Sequence, residues 1–66
     1  MVLIYGKDSC PYTADAREHY SHGPMQYINV QKDAEGLSRM LELTGNRRRV
    51  PVIVEDGKVT VGFGGT

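Results

Sequence analysis

The only cysteine of the 66-residue chain, Cys10, stands where an apolar run gives way to a helical pattern. Pro11 suits the first position of a helix, because its φ is already helical and its missing N–H would have no partner there. Cys10 is then the N-cap, with its sulfur beside the N–H groups of Tyr12 and Thr13. The helix dipole, the Lys7 charge and the Thr13 hydroxyl all favour thiolate over thiol. This pattern indicates a reactive cysteine. The alternative is a small buried hydrophobe, which is what a lone cysteine more often is.

Hydrophobic periodicity predicts the elements that position this turn. The first helix should run from Pro11 to about His22, ended by Gly23-Pro24. Asp33 and Gly45 are suited to cap a second helix over residues 34–44. Strands are predicted at residues 2–5, 26–30, 50–54 and 58–61, the last two joined by a turn at 55–57. The order is β-α-β-α-β-β, with the first two strands parallel and the last two an antiparallel hairpin.

Composition limits the classes of function. The chain is one domain over residues 1–66 with zero formal net charge, which argues against broad capture of nucleic acid or a membrane surface. No signal peptide or membrane helix is evident, so the cytoplasm is the expected location. One cysteine excludes an internal disulfide and a cysteine-based zinc cage. His19 and His22 could form half a metal site, but no third ligand accompanies them, so no metal is expected.

Three motifs in register resemble the glutaredoxin family. Cys10-Pro11-Tyr12-Thr13 is similar to the active-site motif Cys-Pro-Tyr-Cys, with threonine in place of the second cysteine. The other two motifs are Val50-Pro51 before an apolar strand and the segment Gly62-Phe63-Gly64-Gly65. The resemblance implies an α/β, thioredoxin-like fold with a four-stranded mixed sheet. It also implies a thiol–disulfide oxidoreductase that uses glutathione as co-substrate. Because Thr13 cannot resolve a disulfide, the Cys10 thiolate is expected to attack glutathione mixed disulfides by a monothiol route.

The same resemblance implies a glutathione-binding groove. The residues expected to bind glutathione in this groove are Lys7, Tyr12, Arg47, Arg49, Val50, Pro51, Gly64 and Gly65. Lys7 and Arg47, with Arg49 as second choice, would hold the glycine carboxylate, because arginine pairs bidentately with carboxylates. Val50 would offer its backbone N–H and C=O, after which a cis Pro51 is expected. The run of three arginines at 47–49 could also be read as a nucleic-acid patch or a solvated loop.

The C-terminal end departs from the family pattern. Glutaredoxins normally continue past the Gly-Gly turn into a helix that packs beside the first one, and they usually supply Cys or Ser and Asp residues for the γ-glutamyl head group. We therefore expect the sheet face that carries the first helix to be half covered, with weaker recognition of glutathione. Either a homodimer covers that face, or the natural chain is longer than 66 residues. Some short glutaredoxin-like proteins carry a selenocysteine just beyond a Gly-Gly-Thr ending, which could resolve the Cys10 disulfide.

Two other functions compete with the monothiol oxidoreductase. Some monothiol glutaredoxins bridge a [2Fe–2S] cluster between two copies, using the active-site cysteine and the thiol of glutathione. Their usual motif, Cys-Gly-Phe-Ser, is absent here, and Pro11-Tyr12 makes a stiffer and bulkier loop. The third alternative is an interaction module without catalysis, for which an ordinary Cys10 pKa would be the signature.

Overall fold

A computed structural model describes residues 1–64 of the chain. Its elements follow the predicted order: β1 (Val2–Gly6), α1 (Pro11–His19), β2 (Met25–Asn29), α2 (Ala34–Thr44), β3 (Val52–Glu55) and β4 (Lys58–Val61). The four strands form one sheet in the order β2-β1-β3-β4. β1 pairs with β2 in parallel, whereas the β1–β3 and β3–β4 pairs are antiparallel. The predicted four-stranded mixed sheet is confirmed. Within residues 1–64, neither helix has the length and apolar character needed to cross a membrane.

Several element boundaries differ from the predicted ones, those of β1 and β3 at their C-terminal ends by one residue each. α1 ends at His19 and not near His22, because Ser21 turns back onto the Glu18 carbonyl with both its N–H (3.2 Å) and its hydroxyl (2.7 Å). This local capping ends the helix before Gly23-Pro24 is reached. β2 begins and ends one residue earlier than predicted. β3 begins at Val52, after Pro51, which has no N–H to contribute to a ladder.

α2 matches its predicted span and caps. The Asp33 side chain accepts a hydrogen bond of 2.9 Å from the Gly36 N–H, and Gly45 adopts the left-handed conformation at φ 68°. Met40, on the predicted apolar stripe, is completely buried. It packs with Tyr5, Val30 and Val52 in the cluster that joins α2 to one face of the sheet.

α1 covers the other face of the sheet. Ala16 packs with Ile4 and Ile53, and Tyr20 and Phe63 lie against the same cluster. Ile4 is 0 % exposed and Ile53 only 3 %. Val2, Met25 and Tyr27, which pack against the same cluster, are only partly buried. On β4, Lys58 and Thr60 are exposed and their apolar neighbours Val59 and Val61 pack on the α2 side. The α1 face thus keeps several partly exposed apolar residues, and a half-covered face with a homodimer over it stays a prediction.

The N-terminal end of α1 lies directly on the end of β1. Gly6 is buried at this crossing, and a Cβ placed there would lie 2.6 Å from Thr13 Oγ1 and 3.1 Å from Thr13 Cβ. Only a residue without a side chain permits this approach. The crossing fixes the first turn of α1, and with it Cys10, against the C-terminal end of the central strand.

Candidate active site

Cys10 is the N-cap of α1, as predicted. Its backbone is extended (φ −91°, ψ 117°), and Pro11 follows at the first helical position. The Cys10 N–H donates to the Lys7 carbonyl (3.3 Å), and the Cys10 carbonyl accepts from the Ala14 N–H (3.1 Å). These two bonds join the turn at residues 7–10 to the helix. The residue as a whole is 9 % exposed.

The environment of the sulfur lowers the pKa of Cys10 below its ordinary value. Burial alone would raise the pKa, since it disfavours the charged form. That effect is outweighed by the Thr13 hydroxyl, by the backbone N–H groups of Thr13 and Tyr12, and by the positive charge of Lys7. All four stabilise the thiolate. The lowered pKa favours the thiolate, which is the form of cysteine that acts as a nucleophile.

Thr13 occupies the position that the second cysteine takes in a dithiol motif. Its side chain is 1 % exposed, and its hydroxyl has no hydrogen-bond partner of ordinary geometry among residues 1–64. Buried hydroxyls are normally paired, since an unpaired one costs about 1–3 kcal/mol. The hydroxyl nevertheless lies close enough to the Cys10 sulfur to lower its pKa, which is the effect of a hydrogen-bond donor on a thiolate. We therefore expect the Thr13 hydroxyl to donate to Cys10 when the sulfur is charged.

Thr13→Val tests this role, since valine keeps the shape and removes the hydroxyl. We expect the alkylation of Cys10 by iodoacetamide to slow by roughly tenfold at pH 6, because a hydrogen bond to a charged group contributes about 1.5 kcal/mol or more. The dependence of the alkylation rate on pH should shift to higher pH. Thr13→Ser, which keeps the hydroxyl, is the matched control and should retain the wild-type profile.

The same substitution should change stability in opposite directions at low and high pH. Because the pKa of Cys10 is lower in the folded protein, the thiolate stabilises the fold at pH values above the Cys10 pKa of the unfolded chain. This stabilisation is lost as the pH falls through the Cys10 pKa of the folded protein. Below the folded pKa of Cys10, where the thiol is protonated, Thr13→Val should unfold at equal or higher urea concentration than the wild type. At pH 9 it should unfold at lower urea concentration. Identical wild-type and valine profiles at both pH values would contradict the proposed role of the hydroxyl.

A cluster that the sequence analysis missed holds the turn from the other side. The Tyr27 hydroxyl on β2 donates to Asp8 Oδ1 (2.8 Å), and the Arg17 guanidinium lies 4.0 Å from the Tyr27 ring centroid. Lys32 Nζ lies 3.8 Å from Asp8 Oδ2, with both side chains largely exposed. Partial burial and the Asp8 carboxylate raise the pKa of Tyr27 to about 12, so the phenol remains a donor at neutral pH. The hydrogen bond between Tyr27 and Asp8 joins the active-site turn to β2. The two residues are 19 positions apart in the sequence, and the register of β1 and β2 brings them together.

The predicted groove residues fall into two groups. The Val50–Pro51 peptide is cis, as predicted, and Val50 lines a cavity together with Lys7. The arginine in that cavity is Arg48 rather than Arg47 or Arg49. Arg47 is instead held through its backbone, whose N–H and carbonyl both bond to the Thr44 hydroxyl, at 3.1 and 3.0 Å. Arg49 is exposed on the same loop.

The second group lies beside the N-terminal end of α1. Tyr12 is 40 % exposed, and a Cβ built on Gly64 would lie 3.8 Å from the Tyr12 ring. Gly64 has φ +64°, a left-handed conformation that favours glycine. The predicted pairing of Tyr12 with the Gly-Gly turn as two parts of one groove is consistent with this placement. Gly65 lies outside the described residues.

The described residues offer few ligands for the metal sites that the sequence suggested. His19 packs edge-on against Tyr20, with ring centroids 4.8 Å apart, and also contacts Phe63. Among the residues described, no three His, Cys, Asp or Glu side chains are grouped to hold a metal ion. A [2Fe–2S] cluster takes four thiolate ligands, of which this chain offers Cys10 alone. The residues of one chain therefore do not fit the cluster without thiols from outside it.

A comparison of the sequence with models of known protein families shows the family of this chain. The family model described as Glutaredoxin matches residues 2–60, which is most of the chain. The chain belongs to the glutaredoxin family. Members of this family are thiol–disulfide oxidoreductases, and the position of Cys10 at the N-terminal end of α1 agrees with that chemistry.

Solved structures support the fold of this glutaredoxin-family chain. The thioredoxin-like protein BC3987 is 27 % identical, with a TM-score of 0.85 over 97 % of this chain and 89 % of that one. A single-residue mutant of BC3987 gives the same identity and TM-score, with 88 % of its chain covered. A glutaredoxin (grx-1) from Archaeoglobus fulgidus is 24 % identical, with a TM-score of 0.77 over 96 % of this chain and 75 % of that one, and it bears on the fold alone. Comparison with curated protein sequences gives no significant match.

Proposed function

We propose that this protein is a monothiol, glutathione-dependent thiol–disulfide oxidoreductase. The observation that carries the proposal is the pairing of Cys10 with Thr13 in the first turn of α1. Cys10 is an N-cap thiol with a lowered pKa, and the residue at the position of a resolving cysteine is a buried hydroxyl donor. Such a pair activates one sulfur for exchange and offers no second sulfur in this motif to close an internal disulfide.

The proposed reaction has two exchanges. The Cys10 thiolate attacks the glutathionyl sulfur of a mixed disulfide, so a Cys10–glutathione bond forms while the bond to the substrate sulfur breaks. The released substrate thiolate takes a proton from water. A second glutathione thiolate then attacks the glutathionyl sulfur on Cys10, which releases glutathione disulfide and restores the Cys10 thiolate. Over the two exchanges, one glutathione is consumed for each mixed disulfide reduced, and the other half of the glutathione disulfide is the glutathionyl group taken from the substrate.

The residues of the turn act in both steps. The N–H groups of Tyr12 and Thr13 and the hydroxyl of Thr13 stabilise Cys10 as a thiolate, which makes it available as nucleophile in the first exchange. The same groups stabilise it as leaving group in the second, because a thiol of low pKa leaves faster. Lys7 adds its charge near the sulfur. Their placement around one atom supports exchange without any other catalytic side chain.

The binding roles are proposed on the same basis. Lys7 would hold the glycine carboxylate of glutathione, and the cavity that it shares with Val50 makes Arg48 a better partner than Arg47 or Arg49. Tyr12 would flank the sulfur on the side of Gly64, and the family's Gly-Gly motif, Gly64 with Gly65, would let backbone approach the γ-glutamyl end. Since the second exchange consumes reduced glutathione, we propose the cytoplasm as the place of action.

Trapping the intermediate tests the proposal. The protein is treated with a glutathionylated peptide without added glutathione, and its intact mass is followed. We expect one glutathionyl adduct per chain, mapped to Cys10, with release of one equivalent of free peptide. Added glutathione should then remove the adduct as glutathione disulfide. Release of the peptide without an adduct, or an adduct that glutathione cannot remove, would contradict the monothiol route.

A further inference from the structure

A short segment leads from β4 back to the active site and consists of Gly62, Phe63 and Gly64. The Gly62 N–H donates to the Pro51 carbonyl (2.7 Å), and a Cβ built on Gly64 would lie 3.8 Å from the Tyr12 ring. Because the two glycines carry no side chains, Phe63 provides all the side-chain contacts of this Gly-Phe-Gly segment. The position of Gly64 beside Tyr12 therefore depends on what holds Phe63.

Phe63 is held both by the core and by aromatic rings at the C-terminal end of α1. It packs against the buried cluster that α1 covers. Its ring centroid lies 5.4 Å from that of His19, at an interplanar angle of 52°, and 6.3 Å from that of Tyr20. The rings of His19 and Tyr20 meet edge to face with their centroids 4.8 Å apart. All three spacings fall within the range over which aromatic rings attract one another, about 4.5–7 Å.

His19 is the exposed member of this group, whereas Tyr20 and Phe63 are partly buried. Substitution of an exposed side chain leaves the buried core in place, so the contribution of His19 falls on its contacts with the other two rings. We propose that His19 is a positioning residue for the glutathionyl group of the substrate: its ring packs on Phe63 and thereby keeps Gly64 beside Tyr12. This inference rests on the proposed function and adds to it a residue at the opposite end of α1 from Cys10.

The contact acts on binding and not on the sulfur. The groups that lower the pKa of Cys10 belong to Lys7, Tyr12 and Thr13. Loss of the His19 ring lets the Gly-Phe-Gly segment leave Tyr12 for part of the time. The apparent affinity for the glutathionyl group then falls in proportion to the fraction of molecules in which the groove is formed. Attack by Cys10 on a group that is already bound is unchanged.

Titration of His19→Ala with S-methylglutathione, followed by the NMR shifts of backbone amides, measures the binding step. We expect the Kd to rise about three- to tenfold over the wild-type value, which is the factor that one aromatic pair contributes. The nuclear Overhauser effect between the Gly64 α-protons and the Tyr12 ring should weaken in the same variant. The rate of Cys10 alkylation at pH 6 should not change. An unchanged Kd, or slower alkylation, would overturn the inference.

Two further variants separate the ring contact from other properties of the histidine. His19→Phe keeps an aromatic ring without the imidazole nitrogens and should retain the wild-type Kd. His22→Ala is the matched control, because His22 is also exposed and lines the same surface cavity as His19 and Phe63, and it should bind the analogue as the wild type does. Equal weakening by His19→Ala and His22→Ala would overturn the inference, as would a Kd of His19→Phe as high as that of His19→Ala.

Turnover of a glutathionylated peptide separates this inference from the proposed function. If no mixed disulfide is reduced while His19→Ala binds S-methylglutathione more weakly than the wild type, the role of His19 stands and the oxidoreductase proposal fails. If mixed disulfides are reduced and the two proteins bind the analogue equally, the oxidoreductase proposal stands and the role of His19 fails. A wild-type protein that does not bind the analogue overturns the role of His19 whether or not it reduces mixed disulfides.

Discussion

Cys10→Ser is expected to lower the rate of glutathione-dependent disulfide reduction by at least about a thousandfold. Removal of a catalytic nucleophile costs roughly a millionfold in a well-studied protease, so a thousandfold is a conservative bound. The physical reason is the loss of the thiolate: a serine hydroxyl in the same place remains protonated at neutral pH, and the helix N-terminus cannot compensate for that difference. The measurement is the release of a peptide thiol from its glutathione mixed disulfide, with excess glutathione and a coupled assay.

Cys10→Ser should leave the fold intact, which makes the result interpretable. Serine is among the preferred N-cap residues, and its hydroxyl can accept from the N–H groups at the start of α1. Thermal unfolding at pH 5 should therefore occur at the wild-type temperature or above it. Ser9→Ala is the matched control, because Ser9 is exposed beside Cys10 and has no contact with the sulfur among those described. Residual turnover in Cys10→Ser above the uncatalysed rate would mean that another group carries the reaction.

Local signals explain why much of the fold could be predicted from the sequence. Pro11 at the first helical position made Cys10 the N-cap, and the caps Asp33 and Gly45 are both found in the structure. Each of these signals acts over four or five residues and needs no knowledge of the tertiary structure. Competing local signals explain the error in α1. Gly23-Pro24 is a strong stop, but Ser21 bonds to the Glu18 carbonyl first and ends the helix earlier.

The parts of the site that the sequence left undetermined depend on tertiary packing. Tyr27 meets Asp8 only because β2 pairs with β1 in a register that places Tyr27 opposite Ile4. Three consecutive arginines carry no local signal that ranks them. The Thr44 hydroxyl, which holds the Arg47 backbone at the end of α2, sets the course of the loop, and Arg48 is the one that lines the cavity beside Lys7. Likewise, no periodicity shows that Phe63 folds back over Ile4 and Ile53.

Gly6→Ala is expected to destabilise the protein by about 1–3 kcal/mol, the usual cost of overpacking a filled core. A small domain has few kcal/mol of net stability, so this is a large fraction of the total. The new methyl group would lie 2.6 Å from Thr13 Oγ1 and would also overlap Thr13 Cγ2, while Thr13 is almost completely buried and has little room to move. Urea unfolding followed by circular dichroism gives the free energy. Gly23→Ala is the matched control, since nothing lies within 4 Å of a Cβ at Gly23.

A second substitution at Thr13 shows whether the destabilisation arises at the crossing of β1 and α1. Thr13→Ala removes both atoms that the new methyl group would overlap and leaves a contact of 3.1 Å with the Thr13 Cβ. In the Gly6→Ala background it should restore most of the lost stability, with a coupling free energy of about 1 kcal/mol or more in the double-mutant cycle. Additive effects of the two substitutions would contradict the crossing geometry. Because the Thr13 hydroxyl also lowers the Cys10 pKa, Gly6→Ala should slow alkylation of Cys10 at pH 6 as well. The same close approach that packs the helix onto the strand therefore sets the reactivity of the sulfur.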